Sequence, residues 1–118
     1  MEHHSNIVPW QLIQRHKRVK IRVVPIDEYG ELRLGAYDDL FGENTRFVAL
    51  SHISNVLGTI NPVKELIDIA HSHGVPLIVD NTFATPVNCQ PFAFGADIVT
   101  HSTTKYMDGH GAAVGGAI

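Results

Sequence analysis

Two short apolar runs on either side of an amphipathic stretch constrain the fold of this chain more than any other feature of its sequence. The first run, RFVALSHIS at 46–54, contains an unbroken apolar segment that is typical of a buried parallel strand, and the second is VPLIVD at 75–80. Between them, apolar residues recur at i, i+3, i+4 and i+7, which predicts a helix whose apolar face is formed by Val63, Leu66, Ile67 and Ala70. This order predicts two parallel strands joined by a right-handed crossover.

Signals for helix ends support this interpretation and predict a further helix near the N-terminus. Asn-Pro at 61–62 is typical of a helix start, and Gly74 is typical of a helix end. Residues 6–17 predict an earlier helix that Ser5 or Asn6 would cap.

The rest of the chain continues the alternation of strands and helices. The other predicted elements are a strand at 19–27 ending near Pro25, a turn at 27–30, a short helix at 35–41, an irregular stretch at 81–95, a strand at 96–102 and the beginning of a strand at 112–118. We therefore expect an α/β fold with an open, mostly parallel sheet and flanking helices, in one domain spanning residues 1–118.

Polar clusters follow three of the predicted strands directly. They lie at 51–55, at Asp80 and at 102–105. Ligands of open parallel sheets bind beyond the carboxyl ends of the strands, so these three loops are expected to converge on one crevice.

The residue types in this crevice match the chemistry of pyridoxal phosphate (PLP). Lys105 can form a Schiff base with an aldehyde cofactor, and Asp80 can pair with the protonated nitrogen of its ring. Hydroxyl groups directly before the lysine can bind the phosphate, and they belong to Ser102, Thr103 and Thr104. Taken singly, Asp80 is equally well explained as a turn or helix cap, and Lys105 is better explained as an ordinary solvated lysine. The combination favours a PLP site.

Composition and motifs argue against several other classes of function. With a net charge of −3, the chain has no electrostatic reason to bind nucleic acid or an anionic membrane.

The cysteine and the histidines near residue 70 have structural interpretations. Cys89 is the single cysteine and is interpreted as a packing thiol. His71 and His73 lie near a helix end, where they suit the helix dipole better than a metal site. The tail GHGAAVGG misses the dinucleotide fingerprint by one residue. With neither a signal peptide nor a membrane span, the cytoplasm is the expected compartment.

The chain resembles two branches of the fold-type I PLP enzymes. Residues 1–80 resemble cysteine desulfurases of the class V aminotransferase family, through MEHHSNIVPWQ, VVPIDEYGEL, SHISNVLGTINPVKE and AHSHGVPLIVD. Residues 77–118, LIVDNTFATPVNCQPFAFGADIVTHSTTKYMDGHGAAVGGAI, resemble the Cys/Met-metabolism branch, such as O-acetylhomoserine sulfhydrylase and cystathionine gamma-synthase. The two resemblances join near 77–80. They imply a fragment of the large, PLP-binding domain of the aspartate aminotransferase-like fold.

The resemblance assigns roles to individual residues. The desulfurase match implies that His3 stacks on the cofactor ring and that Asn55 lies near a cofactor oxygen and the substrate carboxylate. Both branches imply that Asp80 pairs with the pyridine nitrogen and that Lys105 is the Schiff-base lysine. The Cys/Met branch also implies phosphate contacts from Ser102 and Thr104. Phe83 departs from the desulfurase pattern, which has a glutamine that bonds the cofactor's phenolic oxygen.

The implied activity is removal of sulfur from L-cysteine. The alternatives are a transsulfuration-type lyase or sulfhydrylase acting on cystathionine or an O-acyl-homoserine, and a non-catalytic α/β fragment. The resemblance also implies a small amino-acid substrate, a homodimer or other self-association, and a protein that accepts sulfur. An upstream phosphate loop, a C-terminal domain and the desulfurase's nucleophilic cysteine are expected to lie outside these 118 residues.

Overall fold

A computed structural model describes all 118 residues of the chain. Its helices and strands, in chain order, are α1 (Val8–His16), α2 (Leu34–Asp38), β1 (Val48–Ser51), α3 (Val63–Ser72), β2 (Leu77–Asp80), α4 (Thr85–Asn88) and β3 (Ile98–Thr100). Two 3-10 helices, His4–Asn6 and Pro91–Phe94, complete the regular structure. None of the helices is both long enough and apolar enough to span a membrane.

The three strands form one parallel sheet in the order β1-β2-β3. Ser51 lies opposite Asp80, and Asp80 lies opposite Thr100, so all three strands end level with one another. Helix α3 makes the crossover between β1 and β2. The expected α/β fold with a mostly parallel sheet is therefore confirmed.

Helix α3 supplies the apolar face that closes the core on the sheet. All four residues of the predicted apolar face are buried, and Leu66 and Ala70 are fully inaccessible to solvent. They pack with apolar residues of the sheet and of α2, namely Tyr37, Leu50, Leu77, Val79 and Val99. Gly74, with φ of +68°, adopts the left-handed conformation that ends the helix, as predicted.

The predicted strands at 19–27 and 112–118 are wrong. Residues 19–25 make no strand pairing, and only Ile26 forms an isolated bridge, with Leu32. A strand needs a hydrogen-bonded neighbour, and alternation of apolar residues alone does not supply one. At the C-terminus, pairing is limited to one antiparallel bridge between Ala117 and His101.

Two smaller expectations also require correction. The stretch 81–95 is not irregular throughout, since it contains α4 and the second 3-10 helix. The predicted first helix is confirmed as α1, but neither Ser5 nor Asn6 caps it, because Ile7 precedes the helix without a side-chain cap. The side-chain oxygen of Asn6 instead accepts a hydrogen bond from Trp10 Nε1 at 3.1 Å.

The two histidines at the end of α3 are paired with carboxylates. His73 Nε2 lies 2.6 Å from Asp38 Oδ1, and the His73 ring stacks on Phe41. His71 Nε2 lies 2.9 Å from Asp97 Oδ2, which also accepts a hydrogen bond from the Leu77 amide at 2.8 Å. Asp97 therefore ties α3 to the start of β2.

Acid is expected to weaken this connection. The hydrogen bond from His71, and then that from the Leu77 amide, lower the pKa of Asp97 below its ordinary value of 3.8. A carboxyl group with a lowered folded-state pKa stabilises the fold above its unfolded pKa, and this contribution is lost as the pH falls through the folded pKa. We expect the urea midpoint of the chain to fall as the pH drops from about 5 through the lowered pKa of Asp97. Asp97→Asn should show a flatter dependence over the same window, and identical slopes in the two proteins would contradict this role.

Candidate active site

The carboxyl ends of the three strands form a continuous polar edge. Hydrogen bonds continue past the strands there, from the His52 amide to the Asp80 carbonyl and from the Asn81 amide to the Thr100 carbonyl, both at 2.9 Å. The loops after all three strands therefore begin side by side. This is the convergence that the strand order predicted.

Thr82 links Asp80 to the loop that follows β3. Asp80 Oδ1 accepts hydrogen bonds from the Thr82 amide at 3.0 Å and from the Thr82 hydroxyl at 2.5 Å. The same hydroxyl oxygen accepts a hydrogen bond from the Ser102 amide at 2.8 Å. Both bonds to Asp80 use Oδ1, so Oδ2 keeps its capacity to accept a hydrogen bond from a ligand.

Lys105 lies at the end of a turn that starts at Ser102. Its amide donates to the Ser102 carbonyl at 3.1 Å, and its side chain is exposed and makes no hydrogen bond within the chain. The hydroxyl of Thr104, in contrast, is already used, because it accepts from the Gly115 amide at 2.9 Å and donates to the Gly115 carbonyl at 3.2 Å. Lys105 and Ser102 thus keep functional groups that a ligand can engage.

The N-terminal segment reaches the same edge through Glu2. The Glu2 carboxylate accepts hydrogen bonds from the Ser51 amide at 2.9 Å and the Ser51 hydroxyl at 2.7 Å. The Ser54 hydroxyl also donates to the Met1 carbonyl at 2.8 Å. These contacts bring His3 to the end of β1, where its ring is exposed and accepts a hydrogen bond from the Ser5 amide. Asn55 is exposed in the turn that follows β1, and its side chain makes no hydrogen bond within the chain.

A buried amide between the loops was missed by the sequence analysis. The Asn81 side chain is fully buried, and its Nδ2 donates to the Cys89 carbonyl at 2.8 Å. Because Nδ2 faces Cys89, the Asn81 atom that faces His52 is the carbonyl oxygen Oδ1, which only accepts hydrogen bonds. The hydrogen bond between Oδ1 and His52 Nδ1, at 3.2 Å, therefore needs the His52 tautomer with its proton on Nδ1. Cys89 is buried as expected of a packing thiol, and burial raises its pKa.

The roles of Thr82, Glu2 and Asn81 carried little signal in the sequence. Thr82 had the clearest one, because a hydroxyl residue two positions after an aspartate at a strand end commonly closes a turn with it. Glu2 contacts a residue 49 positions away, and such a contact depends on how the N-terminal segment docks. The burial of Asn81 could not be predicted, because asparagine side chains are usually exposed.

The donors and acceptors at this edge fit PLP. Asp80 has a carboxylate oxygen that could accept from a ring nitrogen, Ser102 a hydroxyl that could donate to a phosphate, and Lys105 an exposed amine that could react with an aldehyde carbon. The shared hydroxyl of Thr82 joins the loops that hold these three residues. The sequence analysis placed all three residues at this edge.

Comparison with curated proteins shows clear relatives. The chain is 44% identical over 108 residues to a cysteine desulfurase of Escherichia coli, a match that covers 89% of this chain and 26% of the relative. It is 45% identical over 80 residues to a cysteine desulfurase of Synechococcus elongatus, covering 68% of this chain and 13% of that protein. The chain thus spans about a quarter or less of the length of these relatives.

Solved structures of both branches share the fold. The apo structure of a cysteine desulfurase from Thermococcus onnurineus matches with a TM-score of 0.79 and 31% identity, covering 88% of this chain and 26% of that one. A cystathionine gamma-lyase from Lactobacillus plantarum matches with a TM-score of 0.68 and 34% identity, covering 70% of this chain and 22% of the lyase. A third match, with a TM-score of 0.67 and 36% identity, is a Campylobacter jejuni structure assigned as an O-acetylhomoserine (thiol)-lyase, which contains a pyridoxyl-lysine phosphate residue. It covers 70% of this chain and 21% of that one.

A family model settles the membership. Residues 11–118 match the model described as Cys/Met metabolism PLP-dependent enzyme, which is more than half of the chain. This match and the two groups of solved structures confirm the resemblance inferred from the sequence, together with PLP as the cofactor of the family. The chain therefore belongs to the Cys/Met metabolism PLP-dependent enzyme family.

Proposed function

We propose that this chain is part of the PLP-binding domain of an enzyme that removes sulfur from L-cysteine. The observation that carries the proposal is the Thr82 hydroxyl, which joins Asp80 at the end of β2 to the turn containing Ser102 and Lys105. Similarity to cysteine desulfurases over 89% of the chain supports this choice of reaction.

Each residue has a distinct part in this proposal. When bound, PLP supplies an electron-accepting ring that stabilises negative charge on the alpha carbon of an amino-acid substrate. Asp80 accepts a hydrogen bond from the protonated ring nitrogen, and Ser102 donates its hydroxyl proton to the phosphate. Lys105 would hold the cofactor through Nζ and, once the amine of the substrate has replaced it there, would move a proton at the alpha carbon of the substrate.

Three further residues have proposed roles at the same site. His3 would stack on the cofactor ring, and this role is supported by the hydrogen bonds that the neighbouring Glu2 accepts from Ser51 at the end of β1. Asn55 would contact a cofactor oxygen and the substrate carboxylate from the exposed turn after β1. Thr104 would bind the phosphate only by giving up its hydrogen bond to the Gly115 carbonyl.

A second candidate reaction is transsulfuration chemistry on cystathionine or an O-acyl-homoserine. The observation in its favour is the sequence around Asp80 and Lys105. Phe83 stands where the desulfurase pattern has a glutamine, and Lys105 is the last residue of the segment STTK at 102–105. The cystathionine gamma-lyase and O-acetylhomoserine (thiol)-lyase matches agree with it, but their TM-scores are lower than that of the desulfurase.

Replacing Lys105 by alanine tests the cofactor site. We expect the 118-residue chain to develop a saturable visible absorbance band when titrated with PLP, and Lys105→Ala to lose it, because the amine that binds the cofactor is gone. Lys20→Ala is the matched control, since Lys20 is exposed and lies outside the site. An absent band, or one that persists in Lys105→Ala, would favour a non-catalytic fragment. With a bound cofactor, assays with L-cysteine and with O-acetylhomoserine distinguish the two reactions.

The domain and its place in a longer protein are also proposed. We regard residues 1–118 as one partial large domain in which the two family patterns join near 77–80. The desulfurase match that covers 89% of the chain runs across this join. We further propose that the enzyme acts in the cytoplasm and passes sulfur to an acceptor protein, as a desulfurase would.

Self-association of the isolated chain is expected. Only 19 of 118 residues are buried, and large apolar side chains remain open to solvent, including Val23, Val56, Ile60, Val87 and Phe92. Exposed apolar patches and unpaired sheet edges promote association of copies. We propose that a second subunit or further chain covers this surface in the enzyme. Light scattering after gel filtration should give a mass above 13.0 kDa, and a monodisperse monomer would contradict this expectation.

A further inference from the structure

A pair of aromatic rings connects the Lys105 loop to the end of β2. Tyr106 follows Lys105 directly, and Phe83 lies three residues after Asp80. Their ring centroids are 5.6 Å apart and their planes are inclined by 61°, which is an edge-to-face contact. Such a contact is favourable beyond the area that it buries.

We propose that Phe83 and Tyr106 are positioning residues that fix Lys105 relative to Asp80. This inference rests on the proposed cofactor site, since it concerns the geometry of the lysine that holds PLP. The ring contact holds the chain at Tyr106, directly after Lys105. Two hydrogen bonds with Gly115 hold the chain at Thr104, directly before Lys105. Lys105 lies between these two attachments.

No hydrogen bond attaches the loop after Lys105 to β2. The Asp108 amide donates to the Thr103 carbonyl at 2.9 Å, which closes the loop without attaching it to β2. The Ser102 amide is attached to Thr82, but this contact precedes Lys105 by three residues. The ring pair therefore connects the C-terminal side of Lys105 to the segment that directly follows β2, where no hydrogen bond does so.

A role limited to core packing does not explain these rings. Phe83 is 42% exposed and Tyr106 is 58% exposed, so truncating either side chain leaves no enclosed cavity. Substitutions at such sites usually change global stability little. An effect confined to the loop would therefore identify positioning, and it can be separated from a loss of folding.

Selective labelling of Lys105 tests the proposal. The chain is treated with limiting PLP, sodium borohydride fixes the cofactor on the lysine nitrogen, and mass spectrometry measures the label at each lysine. Three other lysines serve as internal references: Lys17, Lys20 and Lys64. We expect the preference for Lys105 to fall roughly 2- to 10-fold in Phe83→Ala and Tyr106→Ala, in line with the strength of aromatic pairs. Tyr106→Phe, which keeps the ring, should retain the parent's preference.

A cofactor-free measurement accompanies the labelling. Hydrogen exchange of the Lys105 amide, which donates to the Ser102 carbonyl, should accelerate by a similar factor in the two alanine variants. Val87→Ala is the control, since Val87 also lies between β2 and β3, on α4, and its side chain is 90% exposed.

The outcomes separate this inference from the proposed function. A parent chain without any preference for Lys105 would count against the cofactor site itself. A parent preference that survives both alanine substitutions would overturn the ring pair and leave the cofactor site standing. A loss in Tyr106→Phe equal to that in Tyr106→Ala would also overturn it, because the hydroxyl rather than the ring would then be responsible.

Discussion

Replacing Leu66 by alanine is expected to lower the urea midpoint of the isolated chain strongly. Leu66 is fully buried on α3, and it packs in the core formed with the sheet and with Tyr37. Truncating a buried leucine costs about 2–5 kcal/mol, because it removes apolar contacts and leaves a cavity. Small domains are stable by only about 5–15 kcal/mol, and this one has a small core. The measurement is the urea midpoint followed by circular dichroism.

Leu12→Ala is the matched control for this experiment. Leu12 is also a helical leucine, but it lies on α1 with 48% of its surface exposed. Its truncation should shift the urea midpoint much less than that of Leu66. Equal losses in the two variants would show that α3 does not hold the core together.

The second large effect is expected at Asp80, when asparagine replaces it. The substitution keeps an oxygen for the two Thr82 hydrogen bonds but removes the negative charge. Hydrogen bonds to charged groups contribute about 1.5–3 kcal/mol, so PLP binding should weaken by about 10- to 100-fold. The dissociation constant is measured by titration of the absorbance band.

The control for Asp80 is an aspartate that is paired on the surface. Asp68 lies 2.7 Å from Lys64 on the exposed face of α3, away from the strand ends. Asp68→Asn should leave the dissociation constant for PLP unchanged. Unchanged binding in Asp80→Asn as well would mean that another group faces the ring nitrogen.

The central part of the fold was predictable because its signals are local. The apolar spacing of α3 and the apolar runs of β1 and β2 each specify an element without reference to the rest of the chain. The segment 19–27 has an equally good strand pattern, yet its pairing depends on a neighbour that the chain does not place beside it. Strand pairing is a property of the assembled sheet, so sequence patterns predict it less well than helices.

The same difference applies to the candidate site. Asp80, Ser102 and Lys105 could be placed at one edge because the order of elements alone determines where parallel strands end. The hydrogen bonds of Thr82 and the ring contact of Phe83 with Tyr106 depend on side-chain conformations in the folded loops. No spacing rule encodes such contacts, and only the structure revealed them.

The order of the strands in the sheet follows their order along the chain. As the ribosome releases the polypeptide, each new strand can add to the edge of the one before, and no early strand has to wait for a late one. The turn that carries Lys105 follows all three strands. The hydrogen bond between Thr104 and Gly115 can form only after residue 115 has emerged. A nascent chain of this kind would form its sheet first and complete the turn of the proposed lysine afterwards.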